Sequence, residues 1–192
     1  MGHVLGDVRK SVLLGLVAPL AIVSMVGKIS EMDLKELPFF TPKSTDSSLL
    51  VTVLQEGQPT QMTMEAYLCR VLPAEMPPSF EPEALKAQAV AARTYTCQAQ
   101  LSAQKHEGAL CTDSRCCQAY STDAQLENLS QEEREKIQQA VTDTDGLILT
   151  YQGAPIEATF FSSSGGRTED AAAVWGRDYP YLRSVESPGE EE

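Results

Sequence analysis

One carboxylate stands where the chain changes from a helical pattern to a loop. Glu75 closes a segment with helical character and is followed directly by Met76 and Pro77. Catalytic side chains often occupy such positions, because a rigid element there holds a loop that a substrate can reach. A carboxyl group in this place could act as a general acid or base. Charged residues are mostly solvated, so position alone assigns Glu75 no role.

Three thiols and one imidazole form the second set of residues that could do chemistry. His106, Cys111 and Cys117 lie close together in a loop that contains Gly and Asp, and Cys116 is next to Cys117. Thiolate and imidazole are ligands that zinc prefers, and structural zinc sites use four ligands. The spacing therefore predicts a zinc site in which Cys116 or a water molecule is the fourth ligand. We expect its role to be structural, since Glu75 already offers an acid and base.

Disulfide bonds give a different interpretation of the same cysteines. Cys111 could pair with Cys116 or Cys117 if the domain lies outside the cytoplasm, where disulfides persist. Cys69 and Cys97 are expected to be core thiols or to form a second disulfide. The sequence leaves zinc and disulfide as open alternatives.

Two cations lie seven residues apart in an alanine-rich segment that begins at Pro82 and Glu83. Pro and Glu are typical of a first helical turn, and the pattern predicts a helix that continues to about Gln100. Because alanines allow close approach of other backbones, this helix should be the central packing element. Lys86 and Arg93 share one of its faces, where they either bind substrate in a cleft or form salt bridges.

The other elements predict an α+β domain of short β-hairpins around this central helix. Strand patterns with intervening turn residues predict the hairpins, and Ser130 with Glu133 forms a capping box that begins a helix. Pro73 is expected to end the first helix. The predicted elements are a hairpin over residues 50–64, helices over 64–72, 82–100 and 130–142, and a hairpin over 146–161 with a turn at 152–153.

An apolar run near the N-terminus predicts a membrane anchor. Residues 11–26 are apolar or small, with two cations directly before them and one after. A signal peptide would need a small-x-small cleavage site, of which residues 24–27 offer only a poor version. A buried core helix is disfavoured by Pro19. The cation excess before the run places the N-terminus in the cytoplasm and the rest outside.

This interpretation divides the chain into four parts. Residues 1–10 are cytoplasmic, 11–29 form a single transmembrane anchor, 30–48 are a linker, and 49–192 are the extracytoplasmic domain. The protein is thus expected to be a single-pass protein of the cell membrane. The formal net charge of -12 disfavours nucleic acid as a partner, because polyanion binding needs a basic surface.

Several segments together resemble the stage II sporulation protein D (SpoIID) family. The resemblance covers about residues 50–188, and its most specific part joins Glu75, Met76 and Pro77 to the helical segment that ends in Ala-Ala-Arg-Thr-Tyr at residues 91–95. Cys-Gln-Ala-Tyr at residues 117–120 and the Ser-Gly loop, which we define as residues 162–169, add to it. The resemblance also leads us to expect that the family domain continues beyond residue 188.

The resemblance implies a lytic transglycosylase that cleaves the glycan strands of peptidoglycan during engulfment in sporulation. Glu75 would be its acid and then its base, leaving 1,6-anhydro-muramic ends. Tyr120, Ser164 and Thr168 would contact the substrate. His106, Cys111 and Cys117 would bind zinc. A cell-wall amidase and other engulfment proteins would be its partners. A peptidoglycan-binding scaffold without catalysis, or a two-carboxylate hydrolase that uses Glu169, are the alternatives.

Overall fold

The computed structural model describes residues 48–161 and 163–188. These residues form two small sheets and a set of helices, which confirms the expected α+β class. The expected membrane anchor, residues 11–29, lies outside the described residues, as does almost all of the expected linker. Among the helices of the described part, none combines the length and apolar character needed to cross a membrane.

A hairpin opens the described part of the chain. β1 (Leu50–Gln55) pairs antiparallel with β2 (Gln58–Thr63), as the sequence predicts. Between them, Glu56 and Gly57 have φ angles of 52° and 79°, the left-handed conformations that a tight two-residue turn requires. β3 (Leu110–Cys111), which was not predicted, pairs parallel with β1. This pairing fixes the loop that carries the cysteines to the sheet.

The first helix is longer than expected. α1 (Met64–Glu75) begins at the cap residue Thr63, whose side chain accepts a hydrogen bond from the Ala66 N–H at 3.2 Å. The expected end at residue 72 is wrong, because Pro73 lies inside the helix. In the last turn of a helix the missing Pro N–H costs a single hydrogen bond, so the backbone can continue. The additional residues carry Glu75 to the end of α1.

The alanine-rich helix is central, as predicted. α2 (Pro82–Ser102) buries more than half of its residues. Several of them, such as Leu85 and Ala89, belong to a core shared with α1, the sheet and α4 (Gln131–Asp143). Val90 belongs to a second core that contains the C-terminal part of the chain. Because α2 contributes to both cores, it holds the two parts of the domain together.

The helix predicted from the capping box forms as expected. Ser130 and Glu133 bond each other's backbone N–H groups at the start of α4. Ile137, Ala140 and Val141 are its buried residues, and the other side is mostly exposed. α3 (Asp123–Glu127), a short helix before it, was not predicted.

The second hairpin is present but much shorter than predicted. β4 (Thr150–Tyr151) and β5 (Ala154–Pro155) have two residues each, and Gln152 and Gly153 form the turn between them. α5 (Ala171–Trp175) follows and was not predicted. The apolar residues that suggested longer strands are buried in the second core, which includes Leu147, Leu149, Ile156, Ala158 and Leu182. Their burial explains the pattern without a continuous sheet.

Candidate active site and metal cluster

Glu75 is held in place by one backbone donor from a distant segment. Its Oε1 accepts a hydrogen bond from the Ala119 N–H at 2.7 Å. The side chain is half-buried and makes no other hydrogen bond to a residue that the structure describes. Burial raises the pKa of Glu75 above its usual range, and the Ala119 hydrogen bond opposes this by favouring the carboxylate. The carboxyl group of Glu75 therefore stays protonated to a higher pH than that of an exposed glutamate.

The residue before Ala119 anchors this segment to the core. Gln118 is 2% exposed, and its Oε1 accepts hydrogen bonds from the Tyr67 hydroxyl at 3.2 Å and the Thr96 hydroxyl at 3.1 Å. These hydroxyls come from α1 and α2, so the amide ties the segment to both helices. No role was predicted for Gln118. A polar residue between two candidate site residues was the available signal, but its burial could not be seen.

Tyr120, a predicted substrate-binding residue, lies next to the Ala119 donor. Its hydroxyl accepts a hydrogen bond from Gln55 Nε2 at 2.9 Å, and the Arg70 guanidinium lies 5.6 Å from the ring centre. The ring borders a cavity of about 420 Å³, whose wall also contains Pro73, Ala74 and Ala119. An open volume thus adjoins the residues directly before Glu75 and its hydrogen-bond donor. Contact of Tyr120 with substrate stays a prediction.

The predicted zinc ligands converge, and Cys116 joins them. The ligand atoms of His106, Cys111, Cys116 and Cys117 all lie within 4.8 Å of one another. His106 Nε2 lies 3.3 Å from Cys116 Sγ. With zinc–sulfur bonds of about 2.3 Å, ligands of a tetrahedral site lie about 3.8 Å apart, so the cluster could hold a metal ion. We call these four residues the metal cluster.

Disulfides do not form in the structure. All five cysteines are thiols, so the alternative bonds from Cys111 to Cys116 or Cys117 and between Cys69 and Cys97 are not observed. Cys69 and Cys97 instead pack against the first core, as expected for core thiols. Burial raises the pKa of Cys117 to about 11. Burial acts in the same direction on Cys111, but hydrogen bonds from the Asp113 backbone and the neighbouring thiols outweigh it and lower its pKa.

The backbone around His106 is unusual in a way that serves the metal cluster. His106 and Glu107 have φ angles of 47° and 55°, which non-glycine residues seldom adopt, and Gly108 follows at 90°. A side chain at Gly108 would lie 3.1 Å from the Gln100 carbonyl oxygen, so glycine permits the loop to approach the end of α2. The Lys105 ammonium donates to the Cys116 carbonyl, which joins both ends of the loop.

The two cations of α2 are held by contacts within the protein. Arg93 is 0% exposed and donates to the carbonyls of Val141 and Leu147 at 3.3 and 3.2 Å. A substrate contact of Arg93 stays a prediction. Lys86 pairs with Glu83 and Asp143, each at 2.9 Å. The shared face was predicted correctly, but it packs against the C-terminal end of α4. Of the two roles left open, the structure therefore shows the structural one.

Thr168 of the Ser-Gly loop is held by the segment that follows α5. Thr168 is 2% exposed, and its hydroxyl accepts a hydrogen bond from the Val185 N–H at 2.8 Å. The hydroxyl is thus held within the protein, and its contact with substrate stays a prediction. Ser164 is half-buried, and its substrate contact stays a prediction. Glu169, the candidate second carboxylate, is exposed.

Comparison with known proteins places this chain in one family. Residues 55–151 match the family described as "SpoIID: Stage II sporulation protein". This match covers half of the chain and includes Glu75, Ala119 and the metal cluster. The chain belongs to the SpoIID family.

Two curated relatives carry the name stage II sporulation protein D. The protein from Bacillus subtilis (strain 168) is 41% identical over 155 residues, which cover 77% of this chain and 45% of the relative. The protein from Bacillus amyloliquefaciens is 40% identical over 168 residues, covering 84% of this chain and 46% of the relative. The "Amidase enhancer" of Bacillus subtilis is 38% identical over 112 residues, covering 58% of this chain and 14% of that protein. The chain thus spans about half the length of its sporulation relatives.

Proposed function

We propose that this protein is a lytic transglycosylase that cleaves the glycan strands of peptidoglycan during engulfment in sporulation. The observation that carries the proposal is the environment of Glu75, which is half-buried, has a raised pKa and accepts a single hydrogen bond. A general acid must hold its proton near the working pH and keep an oxygen available for the substrate. Membership of a sporulation family supports the choice of substrate.

The proposed reaction uses one carboxyl group in two steps. Protonated Glu75 gives its proton to the glycosidic oxygen, and the bond from that oxygen to the anomeric carbon breaks. The 6-hydroxyl oxygen of the same sugar then bonds to the anomeric carbon, and the Glu75 carboxylate accepts the hydroxyl proton. The products are a free hydroxyl on one strand and a 1,6-anhydro end on the other. Since the attacking group belongs to the substrate, no second carboxylate is needed.

Ala119 supports the second half of this cycle. Its N–H bonds Glu75 Oε1, which orients the carboxyl group and stabilises the carboxylate that remains after proton donation. The other oxygen, Oε2, makes no hydrogen bond within the described residues and is available to the glycosidic oxygen. The hydrogen bond and the burial thus have complementary roles, since burial favours the acid form and the N–H favours the base form.

For the metal cluster we propose a structural zinc ion. His106, Cys111, Cys116 and Cys117 would complete a closed site without an open position for water, which is typical of structural rather than catalytic zinc. When bound, the ion would supply a crosslink between the loop and the chain at residues 116–117. Cys117 lies two residues before Ala119, so this crosslink would also fix the donor to Glu75.

The cellular setting remains part of the proposal. We propose that residues 11–29 anchor the protein in the cell membrane with the domain outside the cytoplasm, where peptidoglycan lies. A cell-wall amidase that removes stem peptides would be a natural partner, together with other engulfment proteins. A relative named "Amidase enhancer" supports this association.

The experiment that tests the activity is product analysis. The full chain is incubated with glycan strands freed of stem peptides, and mass spectrometry identifies the new ends. We expect anhydro ends. Glu75→Gln should lower the rate at which they form by at least about a thousandfold, whereas Glu169→Gln should leave this rate unchanged. Reducing ends that disappear in Glu169→Gln would instead establish a two-carboxylate hydrolase.

A second candidate is a glycan-binding scaffold that assists an amidase without cleaving glycan. The name of the "Amidase enhancer" relative is the observation that favours it. In that case purified protein would release no glycan ends but would increase amidase turnover on peptidoglycan. Glu75→Gln would retain this increase, whereas the lytic proposal requires the variant to lose glycan cleavage.

A further inference from the structure

A cavity that none of the roles above uses adjoins the metal cluster. It measures about 330 Å³, and Cys117 and Lys105 belong to its wall. Tyr95 of α2 contributes another part, and the chain after β5 contributes Trp175 and Tyr179. Glu75 does not line this cavity. The volume therefore lies between the metal cluster and the C-terminal part of the described chain.

The aromatic residues of this cavity offer flat apolar surface beside solvent. Trp175 is 51% exposed at the end of α5, which is high for the largest side chain in the protein. Gly176 follows at a φ angle of 68°, and this left-handed turn brings Arg177 and Tyr179 to the same cavity. Exposed indole and phenol rings combine an apolar face with a polar edge. Such rings suit a sugar ring, whose C–H faces are apolar and whose edge carries hydroxyls.

The polar groups of the cavity favour a carboxylate on that sugar. Arg177 forms no ion pair with any residue that the structure describes, and its Nη1 lies 3.5 Å from the Tyr179 hydroxyl. Lys105 is a second cation in the wall, opposed by one acid, Glu157. A guanidinium group without an acidic partner can bind a carboxylate through two parallel hydrogen bonds.

One buried hydroxyl in the cavity also lacks a partner. Thr159 Oγ1 is shielded from solvent and makes no hydrogen bond within the described residues. Thr159 belongs to the cavity wall, so a ligand hydroxyl there could complete its hydrogen bonding. Buried polar groups normally have partners, and an exception of this kind is consistent with a ligand site.

One short segment of the chain contributes both to the cavity wall and to the environment of Glu75. Cys117 lines the cavity, and Ala119, two residues later, donates to Glu75. Two residues span at most about 7 Å of extended chain. Neighbouring sugars of one glycan strand could therefore occupy the cavity and the position beside Glu75.

We propose that this cavity binds a pyranose that carries a carboxylate, and that Arg177 determines this specificity. The inference rests on the proposed function, since muramic acid in glycan strands freed of stem peptides carries a free carboxylate on its lactyl ether. Arg177 would make the carboxylate contact, whereas Lys86 and Arg93 are engaged by Asp143 and by the Leu147 carbonyl.

The fluorescence of Trp175 provides a direct test, because it is the single tryptophan of the chain. The full chain with Glu75→Gln, which prevents cleavage, is titrated with glycan strands freed of stem peptides. A parallel titration uses β-1,4-linked N-acetylglucosamine oligomers of equal length, which lack the carboxylate. We expect both to change the fluorescence, with the muramic acid strands binding at least about tenfold more tightly.

Substitution of the guanidinium group separates the carboxylate contact from general binding. Arg177→Gln should remove the tenfold preference and leave the affinity for the oligomer unchanged, and Arg177→Lys should retain part of the preference. Arg183→Gln is the matched control, since Arg183 is exposed, pairs with Asp178 at 2.7 Å and does not line the cavity.

The outcomes of this experiment are distinct from those of the activity assay. Equal affinity for both ligands, an unchanged preference in Arg177→Gln, or constant Trp175 fluorescence on addition of strands would overturn the inference. If the strands bind as expected but the protein with native Glu75 cleaves none, the inference stands and the lytic proposal fails. If Arg177→Gln with native Glu75 cleaves strands and binds them with normal affinity, the inference about the cavity fails and the lytic proposal stands.

Discussion

The Ala119 N–H donates to the Glu75 carboxyl group across 2.7 Å, although the two residues are 44 positions apart. Through this bond, the segment that contains Cys117 and Gln118 holds the end of α1. Gln118 ties the same segment to Tyr67 and Thr96. The position of Glu75 thus depends on this short segment, which Gln118 joins to α1 and α2.

Replacement of Glu75 should change how stability depends on pH. The folded-state pKa of Glu75 is raised above that of an exposed glutamate, so the folded protein binds more protons than the unfolded chain in the window between these two pKa values. Stability from this group is therefore present at low pH and is lost as the pH rises through that window. Glu75→Gln keeps an acceptor for Ala119. As the pH rises above 4.5, the free energy of unfolding of this variant should fall less than that of the native chain.

Urea unfolding at a series of pH values measures this difference. Glu132→Gln, an exposed glutamate of α4, provides the control and should follow the native chain. Parallel curves for the native chain and Glu75→Gln across the whole window would contradict a raised pKa for Glu75.

Loss of the Gln118 amide should reduce the stability of the fold. Gln118→Leu leaves the Tyr67 hydroxyl buried without its acceptor, so we expect a loss of about 1–3 kcal/mol. Tyr67→Phe should recover part of this loss in the double variant, which a double-mutant cycle by urea unfolding would reveal. If the two losses simply add, Gln118 and Tyr67 do not cooperate as the structure indicates.

We expect Arg93 to have a structural role rather than a substrate-binding one. Arg93→Met removes donors to the Val141 and Leu147 carbonyls and is expected to destabilise the fold by about 2–4 kcal/mol. The exposed Arg134 of α4 is the control, and Arg134→Met should change stability by no more than about 0.5 kcal/mol. A variant at position 93 that keeps its stability but loses glycan binding would restore the substrate role expected from the sequence.

Zinc should stabilise the fold through the metal cluster. Added at about a hundred times its dissociation constant, zinc should increase the free energy of unfolding by about 2.7 kcal/mol. Cys116→Ser should reduce both the bound zinc and this increase, whereas Cys69→Ser, outside the metal cluster, should retain one zinc ion per chain. Metal analysis and thermal unfolding provide the two measurements. Equal zinc content in the two variants would exclude Cys116 as a ligand.

Local patterns were sufficient for much of the architecture. The capping box of Ser130 and Glu133, the Pro82 start of α2 and the turn at Glu56 and Gly57 each involve neighbours within a few residues. Their hydrogen bonds form wherever the segment forms, so the sequence indicated them correctly. The spacing of cysteines and His106 likewise predicted a cluster that the structure brings together.

Long-range packing explains what the patterns missed. Nothing near Arg93 in the chain reveals that Val141 and Leu147 cover it, and nothing near Thr168 reveals Val185. The same limit applies to β3, whose two residues form a strand because β1 lies beside them. Arg93 and Thr168, which were expected to face a cleft, are therefore buried.

The chain's own order of residues thus specified the starts of α1, α2 and α4, the hairpin turns, the candidate acid and three of the four metal-cluster ligands. Three-dimensional packing alone assigned Arg93 and Thr168 to structural roles, gave Glu75 its donor, and placed Trp175 and Arg177 on one cavity. The reason is that caps, turns and side-chain periodicity depend on neighbours in sequence, whereas burial and hydrogen-bond partners depend on which distant segments meet.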